Sequence, residues 1–180
     1  MLWVPVIVLV NALRQTRVMP APTSVMSLML PTATDVQAPN DMYKFDEFRT
    51  TMGNRHTTAR YTTSKLANIH YAKALAEREK RVKIIPVHPG MVATNLHQGA
   101  TGRFLRPFLY TFGYLLATPV AKGALSQIFT AVSPDAKNGQ YYGPIGKEES
   151  GSKLAQDRGR QEKLFKYVEE QLAGHVETIQ

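Results

Sequence analysis

A tyrosine and a lysine stand four residues apart in the segment YTTSKLAN at 61 to 68. In a helix this spacing places both side chains on one face, about one turn apart. A phenol with an ordinary pKa of about 10 is a poor acid or base at neutral pH, but a nearby ammonium group favours the phenolate. Tyr61 and Lys65 are therefore a candidate acid–base pair, and a solvated pair on a helix surface is the alternative interpretation.

A helix over about 58 to 80 must hold that pair. Residues recur through this segment at helical spacing, namely Leu66, Ile69, Ala72 or Lys73, and Ala76. The charged run AEREKR ends the segment. The β-branched, apolar segment VKIIPVH at 82 to 88 follows directly and predicts a buried strand. Pro89 and Gly90 then predict a turn that ends the strand.

The remaining segments predict a mixed α/β order. We expect a helix over 2 to 14, an extended edge segment over 17 to 24, a loop over 25 to 57 with one helical turn around 44 to 51, helices over about 101 to 116 and 119 to 132, a strand over 139 to 144, and a helix over about 152 to 172. This order favours parallel strands joined by right-handed crossovers.

Composition narrows the function classes. At 180 residues and 43% hydrophobic content, the chain suits one globular domain. Its net charge of +8 is spread along the chain without a dense basic run, so we do not expect a nucleic-acid partner. Because the chain has no cysteine, disulfides, thiolate metal sites and a cysteine nucleophile are excluded.

Two apolar segments bear on membrane contact and on substrate. Residues 1 to 13 are apolar but shorter than the roughly 20 residues that span a bilayer, so we expect a core segment and a cytoplasmic protein. A peripheral membrane anchor or an unusual signal segment is the alternative interpretation of this segment. Residues 104 to 120 are apolar but interrupted by Arg106 and Pro107, which favours a helix that covers a substrate.

The segments YxxSKLAN and VHPGxVxTN resemble the catalytic helix, the following strand and the turn of short-chain dehydrogenases/reductases. The resemblance is closest to the retinol-dehydrogenase-like branch, covers about Arg17 to Gly174, and depends on residues 61 to 95 and on the strand QYYGP. It implies a single partial domain over 1 to 180. That domain would be the C-terminal part of a Rossmann-like, doubly wound parallel sheet with about three strands and flanking helices.

The resemblance also implies roles for individual residues. Tyr61 would be the general acid that protonates a carbonyl oxygen. Lys65 would hold the nicotinamide ribose and lower the pKa of the tyrosine. Ser24 in PTSVMS would orient the substrate carbonyl, with Ser27 as the second choice and an ordinary loop serine as the alternative.

The same resemblance predicts a site for NADP or NAD around the turn. Pro89 and Gly90 would lie beside the nicotinamide, although a plain turn explains them equally well. Val92 and Thr94 would contact the cofactor, Thr94 through its hydroxyl and backbone.

Other titratable residues show no catalytic or metal-binding pattern. We interpret the histidines at 56, 70 and 88 as structural or solvated, because no pair of them has a metal-ligand spacing with a third ligand. We interpret Asp41, Asp46 and Glu47 as surface carboxylates. No metal site is therefore expected.

A dinucleotide site needs a strand, a glycine-rich turn and a helix N-terminus that receives the pyrophosphate. The sequence contains none in the required order, and GATGR at 99 to 103 has the wrong spacing. We therefore expect an N-terminally truncated family member.

Two hypotheses follow from this pattern. The first is an oxidoreductase acting on a carbonyl or alcohol of a lipophilic small molecule. The second is a catalytically silent remnant that associates, for example as a homodimer, through the helix over 58 to 80.

Overall fold

The computed structural model describes residues 41–80, 82–90, 92 and 118–173. These residues form three α-helices, namely α1 (Thr57–Arg78), α2 (Val120–Val132) and α3 (Arg158–Leu172). Two short strands, β1 (Tyr141–Tyr142) and β2 (Glu148–Glu149), lie between α2 and α3. Single 3₁₀ turns span Phe45–Arg49, Pro144–Gly146 and Leu154–Gln156. The described part therefore mixes helix and strand, as the α/β class predicts.

Helix α1 confirms the predicted helix over 58 to 80 to within two residues at each end. The four apolar residues that carried that prediction are all at most 3% exposed. They share one core cluster with the apolar face of α3, which includes Leu164, Val168 and Leu172. Each such buried leucine or valine contributes roughly 1.5–3 kcal/mol, so this contact sets the rotation of α1 about its axis.

An aromatic cluster joins the segment before α1 to α3. The 3₁₀ turn at Phe45–Arg49 confirms the helical turn predicted around 44 to 51. Phe45 stacks on Tyr167 of α3 with ring centroids 4.0 Å apart, and Phe48 meets the same ring edge-on at 6.0 Å. Part of the predicted long loop is therefore packed against the core.

The strand predicted over 82 to 88 is wrong in extent. Within this segment, Val87 is the only residue that forms a bridge to another described residue, a parallel bridge to Tyr142 of β1. Pro86 accepts a hydrogen bond from the Tyr142 N–H at 3.0 Å but has no N–H of its own to continue the ladder. Upstream, the Ile84 N–H donates to the side-chain oxygen of Asn138 at 2.7 Å instead of to a strand.

The sheet also differs from the expected parallel arrangement. Strand β1 pairs with β2 in antiparallel register, Tyr141 opposite Glu149 and Tyr142 opposite Glu148, and β2 was not predicted. The strand predicted over 139 to 144 is therefore reduced to two residues. In the described ranges, parallel pairing consists of two isolated bridges, Val87 to Tyr142 and Val92 to Thr118.

The helices on the C-terminal side follow the sequence in part. Helix α2 confirms the prediction over 119 to 132. Helix α3 begins at Arg158 rather than near 152, because the Asp157 side chain accepts the Arg160 N–H at 3.0 Å and so caps its N-terminus. The predictions for 2–14, 17–24, 101–116 and the apolar segment 104–120 concern residues outside the described ranges, apart from 118–120.

Among the described residues, no helix is both long and apolar enough to cross a bilayer.

His70 links α1 to the segments on either side of it. The ring is fully buried, and its Nε2 lies 2.7 Å from the Leu154 carbonyl oxygen, so that nitrogen carries the proton. Its Nδ1 then accepts the Tyr43 hydroxyl at 2.6 Å. The prediction that this histidine is structural is confirmed. Burial lowers the pKa of His70 to about 4, because the charged ring would lose its hydration.

This environment predicts a pH-dependent stability. Because the pKa of His70 is lower in the folded chain than the ordinary 6.5, the unfolded chain binds more protons between these two values. The contribution is complete above pH 6.5 and is lost as pH falls toward 4, by at most on the order of 3 kcal/mol. Urea unfolding at several pH values measures it.

His70→Gln should flatten that part of the pH profile, since glutamine does not titrate. His56→Gln is the matched control, because His56 is exposed at the start of α1 and its side chain does not cap the helix. An unchanged pH slope in the folded His70→Gln chain would contradict the assignment.

Candidate active site

The predicted acid–base pair lies on the N-terminal half of α1. The Lys65 Nζ stands over the Tyr61 ring, 5.6 Å from its centroid, so the two side chains share a face as the four-residue spacing predicts. Thr62, Thr63 and Leu66 between and beside them are buried, which turns the opposite face of the helix inward. Tyr61 therefore remains 38% exposed and accessible to a small molecule.

Burial, rather than mutual attraction, dominates the electrostatics of this pair. Partial burial raises the pKa of Tyr61 above its ordinary value and lowers the pKa of Lys65. This differs from the expectation that Lys65 lowers the pKa of the tyrosine, because desolvation of the phenol acts in the opposite direction. At neutral pH the phenol therefore keeps its proton, which is the state of a proton donor.

Lys65 is a half-buried ammonium that forms no ion pair with any residue in the described part of the chain. A partly desolvated cation is costly unless hydrogen-bond acceptors surround it. Its three N–H donors match the hydroxyl oxygens of a ribose, and the neighbouring phenol adds a further hydrogen-bonding group. These two residues therefore fit the ribose and nicotinamide end of a dinucleotide.

The predicted turn after VKIIPVH is present, and its shape requires glycine. Gly90 adopts a φ of +77°, in the left-handed region that side chains other than glycine rarely adopt. A Cβ at this position would also lie 3.0 Å from the Cγ of Pro144. Pro89 is buried, so the turn presents backbone rather than side chains.

Val92, predicted to contact the cofactor, is only 8% exposed. Its side chain packs on α2 so closely that a Cβ at Gly123 would lie 2.6 Å from the Val92 Cγ2. The Val92 side chain thus belongs to a packing contact rather than to a ligand-binding surface.

The buried ring of His88 forms a hydrogen bond with the turn and connects it to Glu149. The Nε2 of His88 lies 3.0 Å from the Glu149 Oε2, and the Gly90 N–H donates to the His88 Nδ1 at 3.3 Å. The His88 ring stacks on Tyr141 with centroids 5.2 Å apart. The structural interpretation of His88 is confirmed, whereas the role of Glu149 was not predicted, since nothing in its local sequence distinguishes it from Glu148.

The remaining acidic candidates largely behave as surface groups. Asp41 and Asp46 are exposed, as predicted, and a hydrogen bond from Lys44 holds the pKa of Asp41 below its ordinary value. Glu47 is less exposed and pairs with Arg55 at 2.7 Å. Among the described residues, no cluster of side chains suits a metal ion.

A cavity of about 520 Å³ opens at the far end of α1. It is lined in part by Lys73, Lys80, Lys137 and Arg158. Lys73 lies eight residues beyond Lys65, or roughly 12 Å along the helix axis. This basic cavity is therefore separate from the tyrosine–lysine pair.

Two further predicted site residues, Ser24 and Thr94, lie outside the described ranges, as does the second-choice Ser27. The structure thus brings Tyr61 and Lys65 together, places Pro89 and Gly90 on a turn, and places Val92 in a bridge to Thr118.

Comparison with known proteins relates the chain to a set of oxidoreductases. It is 34% identical over 127 residues to a short-chain dehydrogenase/reductase of Aspergillus calidoustus, covering 63% of this chain and 40% of that protein. An uncharacterized oxidoreductase of Schizosaccharomyces pombe is 33% identical over 119 residues, 62% of this chain and 34% of its own length. Retinol dehydrogenase 14 of Mus musculus is 35% identical over 94 residues, 49% of this chain and 28% of its own length.

The matches thus cover well under half of each of these relatives. No family model matches the chain.

The turn geometry predicts the effect of a single methyl group. Gly90→Ala should lower the free energy of unfolding by about 1–2 kcal/mol, because alanine is strained in the left-handed region and its Cβ would press on Pro144. Gly53→Ala is the control, since a Cβ there would meet only Thr51 at an ordinary 3.7 Å. If urea unfolding gives the two variants equal free energies of unfolding, the turn does not require glycine at position 90.

Proposed function

We propose that the chain is a member of the short-chain dehydrogenase/reductase family and works as an oxidoreductase dependent on NADP or NAD. Its substrate would be a carbonyl or alcohol group on a lipophilic small molecule. The observation that carries the proposal is the half-buried ammonium of Lys65, which forms no ion pair with another described residue and lies beside the accessible phenol of Tyr61 on α1.

Each residue of the pair has a distinct role in this proposal. Lys65 donates hydrogen bonds to the ribose hydroxyls and so orients the nicotinamide end of the cofactor. The cofactor, when bound, supplies or accepts the hydride. Tyr61, whose raised pKa keeps it protonated at neutral pH, donates its proton to the substrate oxygen during carbonyl reduction.

The turn and two further residues complete the proposed site. Pro89 and Gly90 offer a backbone surface beside the nicotinamide, with the backbone of Val92 following. Thr94 would bind the carboxamide or diphosphate, and Ser24 would orient the substrate carbonyl. These assignments rest on the motif resemblance at 61 to 95 and, for Ser24, on its position before the catalytic helix.

Two observations support a lipophilic substrate: the composition of one segment of this chain and the name of one relative. Residues 104 to 120 are apolar and aromatic, which suits the cover of an apolar pocket. Retinol dehydrogenase 14 carries the name of an apolar alcohol.

We also propose a sheet architecture and a domain organisation for this chain. The parallel bridges of Val87 and Val92 favour a Rossmann-like, doubly wound parallel sheet, within a single domain over 1 to 180. A homodimer through the helix over 58 to 80, a cytoplasmic location, peripheral membrane contact through 1 to 13 and the lack of a nucleic-acid partner stay predictions.

The proposal is tested by cofactor binding to the full chain. Titration with NADPH and with NADH, followed by nicotinamide fluorescence, should show saturable binding that Lys65→Ala weakens tenfold or more, because a charged hydrogen bond of about 1.5–3 kcal/mol is lost. Tyr61→Phe should retain binding but lose reduction of a medium-chain aliphatic aldehyde, measured by NADPH consumption.

Lys73→Ala is the matched control, because Lys73 is also a half-buried lysine of α1 whose pKa burial lowers. It should bind cofactor as the unchanged chain does. A folded chain that binds neither nucleotide would overturn the oxidoreductase proposal and leave the silent association module, which sedimentation would reveal as a dimer.

A further inference from the structure

We infer that Glu149 is a positioning residue for the Pro89-Gly90 turn and acts through the imidazole of His88. The hydrogen bonds that connect Glu149, His88 and Gly90 are observed in the described residues and do not depend on the proposed function. Its consequence for cofactor affinity rests on the proposed function, in which this turn lies beside the nicotinamide.

The two hydrogen bonds of the His88 ring determine where its proton lies. The Gly90 N–H can only donate, so the His88 Nδ1, 3.3 Å away, must be the unprotonated nitrogen. The Nε2 then carries the proton and donates it to the Glu149 Oε2 at 3.0 Å. Glu149 thereby selects the one neutral tautomer that can accept the turn amide.

The ring has no freedom to satisfy these partners in another way. His88 is fully buried, and its side chain stacks on Tyr141 with an interplanar angle of 17°. Its backbone N–H donates to the Tyr142 carbonyl at 2.9 Å. Strand β1 therefore holds both the backbone and the ring of the histidine.

Glu149 is itself positioned by the antiparallel pair. Its place opposite Tyr141 directs the carboxylate toward the His88 ring, while the preceding Glu148 pairs with exposed Lys137 at 3.0 Å. This follows from the alternation of side chains along a strand. Gly143 leaves room for the carboxylate, since a Cβ there would lie 2.2 Å from the Glu149 Oε1.

The chain of contacts thus runs from a strand of the antiparallel pair to the backbone of the turn. Without the carboxylate, the buried His88 Nε2–H would lose its acceptor, so the ring's preference for that tautomer over the one protonated on Nδ1 would weaken. The tautomer protonated on Nδ1 presents a donor to the Gly90 N–H. The turn amide would then lose its partner and the turn its preferred conformation.

The experiment compares three variants in the full chain: Glu149→Ala, which removes the acceptor; Glu149→Gln, which keeps a neutral oxygen acceptor; and Gly143→Ala, which displaces the carboxylate. Long-range ¹H–¹⁵N correlations report the His88 tautomer, and amide hydrogen exchange reports the Gly90 N–H. Glu149→Ala and Gly143→Ala should shift the tautomer and speed Gly90 exchange about tenfold, whereas Glu149→Gln should preserve both.

Glu148→Ala is the matched control, because it removes the neighbouring carboxylate from the same strand without touching His88. It should leave the tautomer, the exchange rate and NADPH affinity unchanged. With cofactor present, Glu149→Ala should weaken NADPH binding several-fold, and Glu149→Gln should restore it.

The outcomes separate this inference from the proposed function. A proton on Nδ1 in the unchanged chain, or Gly90 exchange that Glu149→Ala leaves as it was, would overturn the positioning role. So would unaltered NADPH affinity in Glu149→Ala when the unchanged chain binds NADPH. If the unchanged chain binds no nucleotide, the proposed function fails while the tautomer and exchange results still decide the positioning role.

Discussion

The buried contact between α1 and α3 is the constraint on which the described structure depends. Leu66, Ile69 and Ala72 face the apolar residues of α3, and their burial leaves one rotation available to α1. That rotation places Tyr61 and Lys65 on the accessible face of α1. Packing elsewhere on the helix therefore supplies the free energy that orders the candidate pair.

A second constraint operates at the turn, where backbone geometry replaces side-chain packing. Gly90 adopts a left-handed conformation against Pro144, and His88 behind it joins the turn to β1 and β2. The described structure thus uses two kinds of support. An apolar helix face orients the tyrosine and lysine, while a buried polar chain holds the turn, and polar contacts of this kind specify geometry more narrowly than apolar ones.

Local patterns predicted the helices well and the strands poorly. Periodic apolar residues located α1 and α2 to within two residues, because a helix satisfies its backbone hydrogen bonds within its own segment. Strand pairing needs a distant partner, and here Pro86 and the Asn138 side chain interrupt the ladder that VKIIPVH had suggested. The start of α3 was misplaced because the capping Asp157 lies inside an otherwise continuous polar run.

The sequence by itself determined the spacing of Tyr61 and Lys65, the glycine at the turn and the resemblance that comparison with known proteins supports. These are properties of neighbours along the chain, where helix and turn geometry are local. Only the tertiary structure decided that burial raises the pKa of Tyr61, that Val92 packs on Gly123, and that Glu149 meets His88 across 61 residues of sequence. Desolvation and contacts between distant segments exist only after the chain has folded, so no local pattern records them.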